Sequence, residues 1–560
     1  MSDYATVGQV RALSSADKKE VAKSLFKTGA HLRNSPSFFD KRKKELYAMC
    51  DQLGDPHVFA TNSHADTYCP YVARFVMAWA GVPLGSPSDP FVPGLNKHQR
   101  YQRRQALVVK HPHVVAYFFH LKTTAYIEHV CVGIMGANAW WSRYEWQSRG
   151  STHAHYFLWF YNAPSISFLD DWLQQAMSEQ MAEGGGCCEL SDAELELVVD
   201  KLNFRALNVS ADSANKQDRE AAFAANFWST RCSRWNFAWL DHLNAPDAVG
   251  EHHPSSQEHV RCEPSIDDLA ADHGVSGGAN QWLGRLLNAT NRHTTHTDYC
   301  LRKDKHNQQY CRFRFPQEPR EENDHVHFFC ERIDRGVRWR LYFPINDPTR
   351  NSVNHWQALA QRGNCDFQVL IDHYSALEYM TKYASKAEKG SASFDTVLAT
   401  VLQRSTEQLP DDASSQRAYS AVLSQVVGGR NWSAQEVGHV NLGCPTIVSS
   451  HVFETIYLAG SRKMLRKDIL PSTGNNEPAF QPNSLEKYFN RLKSCTSSRG
   501  TLDDDQTTLL AHGFAGRLDP HAIDLEHVGG CSFTEFWRTY RLTSDGPEKN
   551  TYKVCMLVSH

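Results

Sequence analysis

The sharpest patterning in the chain lies between Tyr144 and Phe160, in YEWQSRGSTHAHYFLWF. It predicts two short strands around a glycine-containing turn. In a strand, residues i and i+2 point to one face. His153 and His155 therefore project together, with Ala154 on the other face, and Glu145 and Gln147 share a face of the preceding strand. Tyr156–Phe160 is apolar and aromatic, as where a strand enters a core. Helical spacing covers Ser37–Leu53, with Leu46, Met49, Cys50 and Leu53 on one stripe, and Gly54-Asp55-Pro56 ends it. A short strand, His57–Thr61, follows. A further helix is predicted near Asp17–Lys27. Residues 97–135 pass from basic to apolar and aromatic, and predict a helix packed on the sheet that carries the hairpin. Leu169–Glu183 reads as a helix, and Gly184-Gly185-Gly186 as a linker. Residues 187–290 read as a helical, loop-rich insertion, with an acidic stretch at Pro254–Asp272 expected to be mobile. Strand-like text returns at 321–345. Cys365–Ile371 alternates as a strand before the helix-forming SALEYMTKYASKAEKG, with Gly390 as its stop. Residues 400–560 are mixed, without an internal repeat.

Composition narrows the class. A chain of 560 residues is too long for one ordinary domain. With 41% hydrophobic and 11% aromatic residues, it has the material for folded cores. No apolar run is long enough for a membrane span, so no membrane partner is expected, and the N-terminus lacks the pattern of a secretory signal. The net charge of -3 is not that of a protein coated for nucleic acid, so any DNA-binding surface must be local. Basic clusters stand at Lys97, Arg100, Arg103, Arg104 and Lys110, at Arg335, Arg338 and Arg340, and at Arg462, Lys463, Arg466 and Lys467. Any one of them alone reads first as a solvated face. Fifteen cysteines, an odd number without an export signal, favour reduced thiols and zinc over disulfides.

Three constellations carry chemistry. Two imidazoles and a side-chain oxygen on a rigid hairpin make an open three-ligand site for a divalent ion, Mg2+ or Mn2+. A His-x-His pair alone is more often two packed or surface histidines. The second constellation changes that weighing: Tyr379 and Tyr383 stand i,i+4 on one helix face, with Lys382 and Lys386 beside them. Spacing alone allows the tyrosines to be core contacts. A phenol with a pKa near 10 is a poor nucleophile, and attack on a phosphodiester needs the phosphorus made electrophilic, which the ion supplies. Together they predict metal-assisted transesterification of DNA through a covalent phosphotyrosine. The third constellation, His293-x2-His296-x3-Cys300-x10-Cys311, reads as a closed structural Zn2+ knuckle, with His306 as a possible replacement ligand. Arg312, Arg314, Phe313 and Phe315 beside it fit either DNA contacts or, for the phenylalanines, a small core.

The chain resembles the replication-initiator (Rep) nuclease of Helitron-type rolling-circle transposons, most closely the Helentron branch, a two-tyrosine HUH endonuclease. The resemblance runs from about Arg33 to about Arg541. It rests on SPSFF…ELYAMCDQLGDPHVFATNS, YEWQSRGSTHAH, NDPTRNSVNHWQALAQRGNCDFQVLIDHYSALEYMTKYASKAEKG, SAQEVGHVNLGCP and SLEKYFNRL…SFTEFWRTYRL. It implies His153 and His155 as metal ligands, with Gln147 preferred over Glu145 as the third. It implies Tyr379 and Tyr383 as nucleophiles that hold a 5′-phosphate, and single-stranded DNA at transposon ends and target as partner. Arg149, Arg103 and Arg104 join Arg312 and Arg314 as expected DNA contacts, and His64 is expected at the DNA or capping a loop rather than on metal. The family usually has Cys where His296 stands. Helicases usually follow such nucleases; no G-x4-G-K-[ST] loop occurs here, so a helicase domain would belong to a longer protein or be missing. The implied location is nuclear. The implied fold is α+β: an antiparallel five-stranded Rep/HUH sheet flanked by helices, with a zinc-bearing insertion and a mixed C-terminal region. The expected divisions are an N-terminal segment (1–32), a first nuclease part (33–183), an insertion (184–320) with the knuckle at 291–316, a second nuclease part (321–392) and a C-terminal DNA-binding or linker region (393–560). A non-catalytic zinc-containing DNA-binding relative is the main alternative, and a metal hydrolase with structural tyrosines a third.

Overall fold

A computed structural model of the chain describes residues 6–146, 150–184, 189–207, 216–232, 283–284, 286–287, 290–294, 296–298, 300–303, 307–313, 315–317, 327–333, 336–342, 348–351, 353–384, 393–429, 431–457, 484–489, 533–543, 546–549 and 554–559. The acidic stretch 254–272 lies outside them. Contacts divide the chain into two units, residues 1–43 with 54–448, and residues 44–53 with 449–560.

The first unit is built on a five-stranded antiparallel sheet. Its strands are β1 (Val58–Ser63), β2 (Ala137–Trp146), β3 (Thr152–Phe160), β8 (Cys365–Val369) and β9 (Ile447–Ser449), in the order β8-β1-β3-β2-β9. Every residue of β3 is buried, because the strand is central and both its faces are covered. One face buries Ala60, Ala154, Tyr156, Leu158, Tyr144 and Trp146 in the main core. Helix α6 (Pro112–Ala125) brings Phe119 to it, and the π-helical turn Tyr126–Ile134 adds Tyr126, Ile127 and Cys131. The single helix expected over 97–135 is therefore three pieces. Helix α5 (Lys97–Lys110) ends at His111, and Pro112 opens α6 at a position where its missing N–H costs nothing.

Helix α7 (Ile166–Glu183), capped by Ser165, lays Trp172 and Leu173 on the same core. Helices α8 (Asp192–Leu207) and α9 (Lys216–Cys232) add Leu195, Val198, Leu202 and Trp228. Within the segment expected as an insertion, α8 and α9 thus supply core material, and burying each such side chain contributes about 1.5–3 kcal/mol. The hairpin of β6 (His327–Ile333) and β7 (Gly336–Tyr342) joins through Phe328, Trp339 and Leu341. A second cluster packs α1 (Val7–Ala12) and α2 (Ser15–Gly29) with α12 (Phe394–Leu402) and α13 (Ser415–Gly428), so the N-terminal segment is tied to residues nearly 400 positions away. Helix α4 (Pro70–Ala80) packs with α5 and α6 around Val72, Val76 and Val115.

In the second unit β10 (Val452–Tyr457) runs parallel to β13 (Val554–Ser559), and β11 (Tyr540–Thr543) pairs with β12 (Gly546–Lys549). Helices α15 (Ser484–Phe489) and α16 (Phe533–Thr539) bring Tyr488 against Phe536. Helix α3 (Pro36–Leu53) ends here; Leu46 and Met49 of its predicted stripe are buried and Leu53 is exposed. The contact boundary at 448 leaves residues 393–448 with the sheet rather than with the C-terminal region.

Candidate active site

Register decides which side chains meet. Across β2 and β3, Glu145 faces His153 and Arg143 faces His155; across β1 and β3, Ser63 faces His153 and Thr61 faces His155. Directly opposed residues share a sheet face, so these six stand together, opposite the core of Tyr144, Ala154 and Tyr156. His155 Nε2 lies 2.8 Å from Glu145 Oε2, and His153 Nδ1 lies 2.8 Å from Ser63 Oγ. The two imidazole rings are 4.6 Å apart at 72°. Burial, then the neighbouring His155, pushes His153 down to about 3 against the opposing pull of Glu145. It is a neutral ring with a lone pair to give. Glu145 shares the face of the two histidines; Gln147, the preferred third ligand, lies outside the described residues, as does Arg149.

The tyrosines sit on helix α11 (His373–Ala384). Asp372 caps its start: Oδ1 accepts from Ser375 N at 2.6 Å, and Oδ2 from Ser375 Oγ at 2.8 Å and Trp339 N at 3.2 Å. Glu378 is ion-paired with Arg338 of β7. These contacts aim the helix across the histidine face. Tyr379 stacks on Phe59 at 4.5 Å and 24°, and Phe59 stacks on His155 at 5.7 Å and 17°. Burial holds the Tyr379 phenol above its ordinary range, and the guanidinium groups of Arg340 and Arg338 work against that. Tyr383 and Lys382 are residues of the same helix, with their side chains outside the description; Lys386 and Gly390 lie outside it altogether.

Edge strand β8 adds a carboxyl that the sequence reading passed over. Asp366 faces Thr61, which in turn faces His155. Burial pushes Asp366 up to about 6, against hydrogen bonding from Gln368 and the charge of Arg340. Helix α10 (His355–Gln361) holds β8 to β1: Gln357 Nε2 donates to Thr61 O at 3.0 Å, Asn62 Oδ1 at 2.8 Å and Asp366 O at 3.2 Å.

Residues 3–158 match the family model for the Helitron helicase-like domain at the N-terminus. This part of the chain is similar to a Helitron helicase-like N-terminal domain. The match carries Glu145, His153 and His155 and stops within β3. No curated protein matches the chain. Tyr379, Asp366 and the cysteine–histidine loop lie beyond the Helitron match, so their place beside it comes from the fold.

That loop brings four donors together. The ligand atoms of His293, His296, Cys300 and Cys311 all lie within 4.8 Å of one another. Cys300 Sγ is 3.6 Å from His296 Nδ1, and Cys311 Sγ is 3.5 Å from His293 Nε2. A tetrahedral ion with ordinary Zn–S and Zn–N bonds sets that edge at about 3.6 Å. The short strands β4 (Leu301–Lys303) and β5 (Gln309–Cys311) hold the cysteines, with Leu301 facing Cys311. His306 is outside the described residues. The loop is anchored to the sheet: Asn291 Nδ2 donates to Cys365 O at 2.6 Å, and Asn364 Nδ2 to Thr290 O at 3.0 Å. Phe315 is buried against His293, while Phe313 is 42% exposed under the Arg312 guanidinium. Phe315 thus has the place of a core residue and Phe313 stands outside that core.

The basic segment also divides. Arg104 is 1% exposed and its Nε donates to Thr67 O at 2.6 Å, so it serves the fold and is not placed to meet DNA. Arg103 Nη1 donates to Asp89 O at 2.8 Å. Arg314 is outside the described residues. His64 is buried against Phe119 at 4.6 Å, and burial pushes it down to about 4; its place is in the fold, neither at a loop cap nor at an exposed DNA contact.

Proposed function

We propose that this rolling-circle transposon-related protein nicks and joins single-stranded DNA at transposon ends by transesterification through a covalent 5′-phosphotyrosine. The stack Tyr379–Phe59–His155 carries the reading, because it sets a phenol over a face that holds two imidazoles and a carboxylate. His153, His155 and Glu145, with Gln147 adjoining in sequence, would hold Mg2+ or Mn2+. The mixed nitrogen and oxygen donor set and the neutral state of His153 fit such an ion, Mn2+ better than Mg2+. When bound, the ion makes the phosphorus electrophilic and stabilises the departing oxygen.

The chain's own groups do the rest. Tyr379 gives up its phenolic proton to water, and its oxygen bonds to phosphorus. The bond to the 3′-oxygen breaks, and that oxygen leaves with the electron pair and takes a proton to become a free 3′-OH. Arg340 favours the phenolate of Tyr379 by its charge. Tyr383, one helical turn on, is the second nucleophile that strand transfer needs, and Lys382, with Lys386 following in sequence, is the source of nearby positive charge. His293, His296, Cys300 and Cys311 would hold a structural Zn2+.

Incubation with a labelled single-stranded oligonucleotide and Mn2+ tests the proposal. A covalent protein–DNA adduct that disappears in the Tyr379→Phe, Tyr383→Phe double variant supports it. Binding without adduct leaves the non-catalytic reading, and cleavage that survives in the double variant transfers the chemistry to bound water.

A further inference from the structure

The segment SAQEVGHVNLGCP has no part in the chemistry above, yet it holds the metal hairpin from behind. Helix α14 (Ala434–Asn441) is capped by Ser433, whose side chain accepts from Glu436 N at 3.1 Å. Gln435 is 6% exposed. Its Oε1 accepts from Thr152 N at 3.2 Å and Thr152 Oγ1 at 2.8 Å. Its Nε2 donates to Asp66 Oδ2 at 2.9 Å, and the same oxygen accepts from Ser151 Oγ at 2.8 Å. Thr152 O accepts from His64 N at 3.0 Å. The residue just before His153 is therefore held at its N–H, its hydroxyl and its carbonyl.

The helix grips the other strand too. His439 packs on Tyr144 at 4.7 Å and Trp146 at 5.2 Å, the two residues that flank Glu145 and point away from it. Glycine at 438 lets α14 sit close: a Cβ there would lie 2.5 Å from His113 Cα of α6. Asn34 Nδ2 donates to Glu436 Oε1 at 2.9 Å, which anchors the far side of the helix.

We infer that Gln435 is a positioning residue for the catalytic ion: through Thr152 and Asp66 it presets the end of the hairpin from which Glu145 and His153 project. The inference rests on the reading of the His153/His155 face as a metal site. Removal of an outer partner that orients metal ligands weakens metal affinity by about 10–100-fold.

The test is calorimetric titration of the intact, zinc-loaded protein with Mn2+. Gln435→Ala and the volume-preserving Gln435→Met are each expected to raise the Mn2+ dissociation constant by about 10-fold or more. Zinc content and oligonucleotide binding in the absence of Mn2+ are expected to stay at wild-type levels, and Val437→Ala, on the exposed side of the same helix, to bind Mn2+ as the wild type does. A folded Gln435→Met protein with wild-type Mn2+ affinity overturns the inference and reduces the helix to packing. A wild-type protein that takes up no Mn2+ overturns the site reading itself, and this inference with it.

Discussion

The two histidine-bearing groups of the first unit obey opposite rules. In the His293/His296/Cys300/Cys311 loop, all four donors come from one stretch of 19 residues and close on each other. In the His153/His155/Glu145 group, the donors stand on two strands, are aligned by register, and are backed by side chains from residues 63, 66, 152 and 435. A closed soft-ligand loop stores its ion as folding energy. An open face keeps positions for substrate, and depends on the fold to hold its donors.

The largest effect expected from this contrast is on the open face. On the proposed function, His153→Ala removes a ligand of an ion that would supply several kcal/mol of transition-state stabilisation, so adduct formation should fall about a thousandfold. Zinc content should not change, and an adduct assay beside a colorimetric zinc assay reads both. Cys311→Ser should do the reverse to composition: zinc is lost, and urea unfolding followed by tryptophan fluorescence should show a loss of about 3 kcal/mol or more. A Cys311→Ser protein with wild-type stability would sink the closed-site half of the comparison. Asn291→Ala is the finer cut. It severs the bond to Cys365 O while sparing the four proposed zinc ligands, and should cost about 1–3 kcal/mol without changing zinc content.

The smallest effect is graded by pH. His153 stays neutral in the fold down to about 3, whereas the unfolded chain protonates it near its ordinary value of 6.5. Between those values the unfolded state binds one more proton, so stability is intact above 6.5 and falls as pH drops through the window. His64 and His439, each pushed down to about 4 by burial, act with the same sign. Each contributes a slope of about 1.4 kcal/mol per pH unit. Urea midpoints for the metal-free open site at pH 7, 6 and 5 should descend in steps; a flat series contradicts the buried, neutral histidines.

Much of this was legible in the chain itself. Alternation exposed the hairpin, helical spacing exposed the helix that carries Tyr379, and ligand spacing exposed the cysteine–histidine loop, because each signal is local. Other features have no period. Gln435 lies 283 positions from Thr152, and no pattern in the sequence links them. Asp366 reads as an ordinary polar position of an alternating strand until register sets it beside Thr61. Arg104 counts as charge in a basic segment, but a charge count cannot tell that its side chain turns inward to Thr67. Helices α8 and α9 lie in text without strong chemistry, and only their packing on Trp172 and Phe160 makes them core.

The strand order β8-β1-β3-β2-β9 has a consequence for how the protein is made. A ribosome releases the three central strands first, and the edge strands that flank them follow only at residues 365–369 and 447–449. Until then both rims of a sheet rich in tryptophan and phenylalanine offer unpaired N–H and C=O groups, the template on which sticky assembly begins. Burial of His153 and His155 beneath the full sheet is therefore among the late events of synthesis, and a truncation before residue 447 leaves β2 as a rim in place of β9.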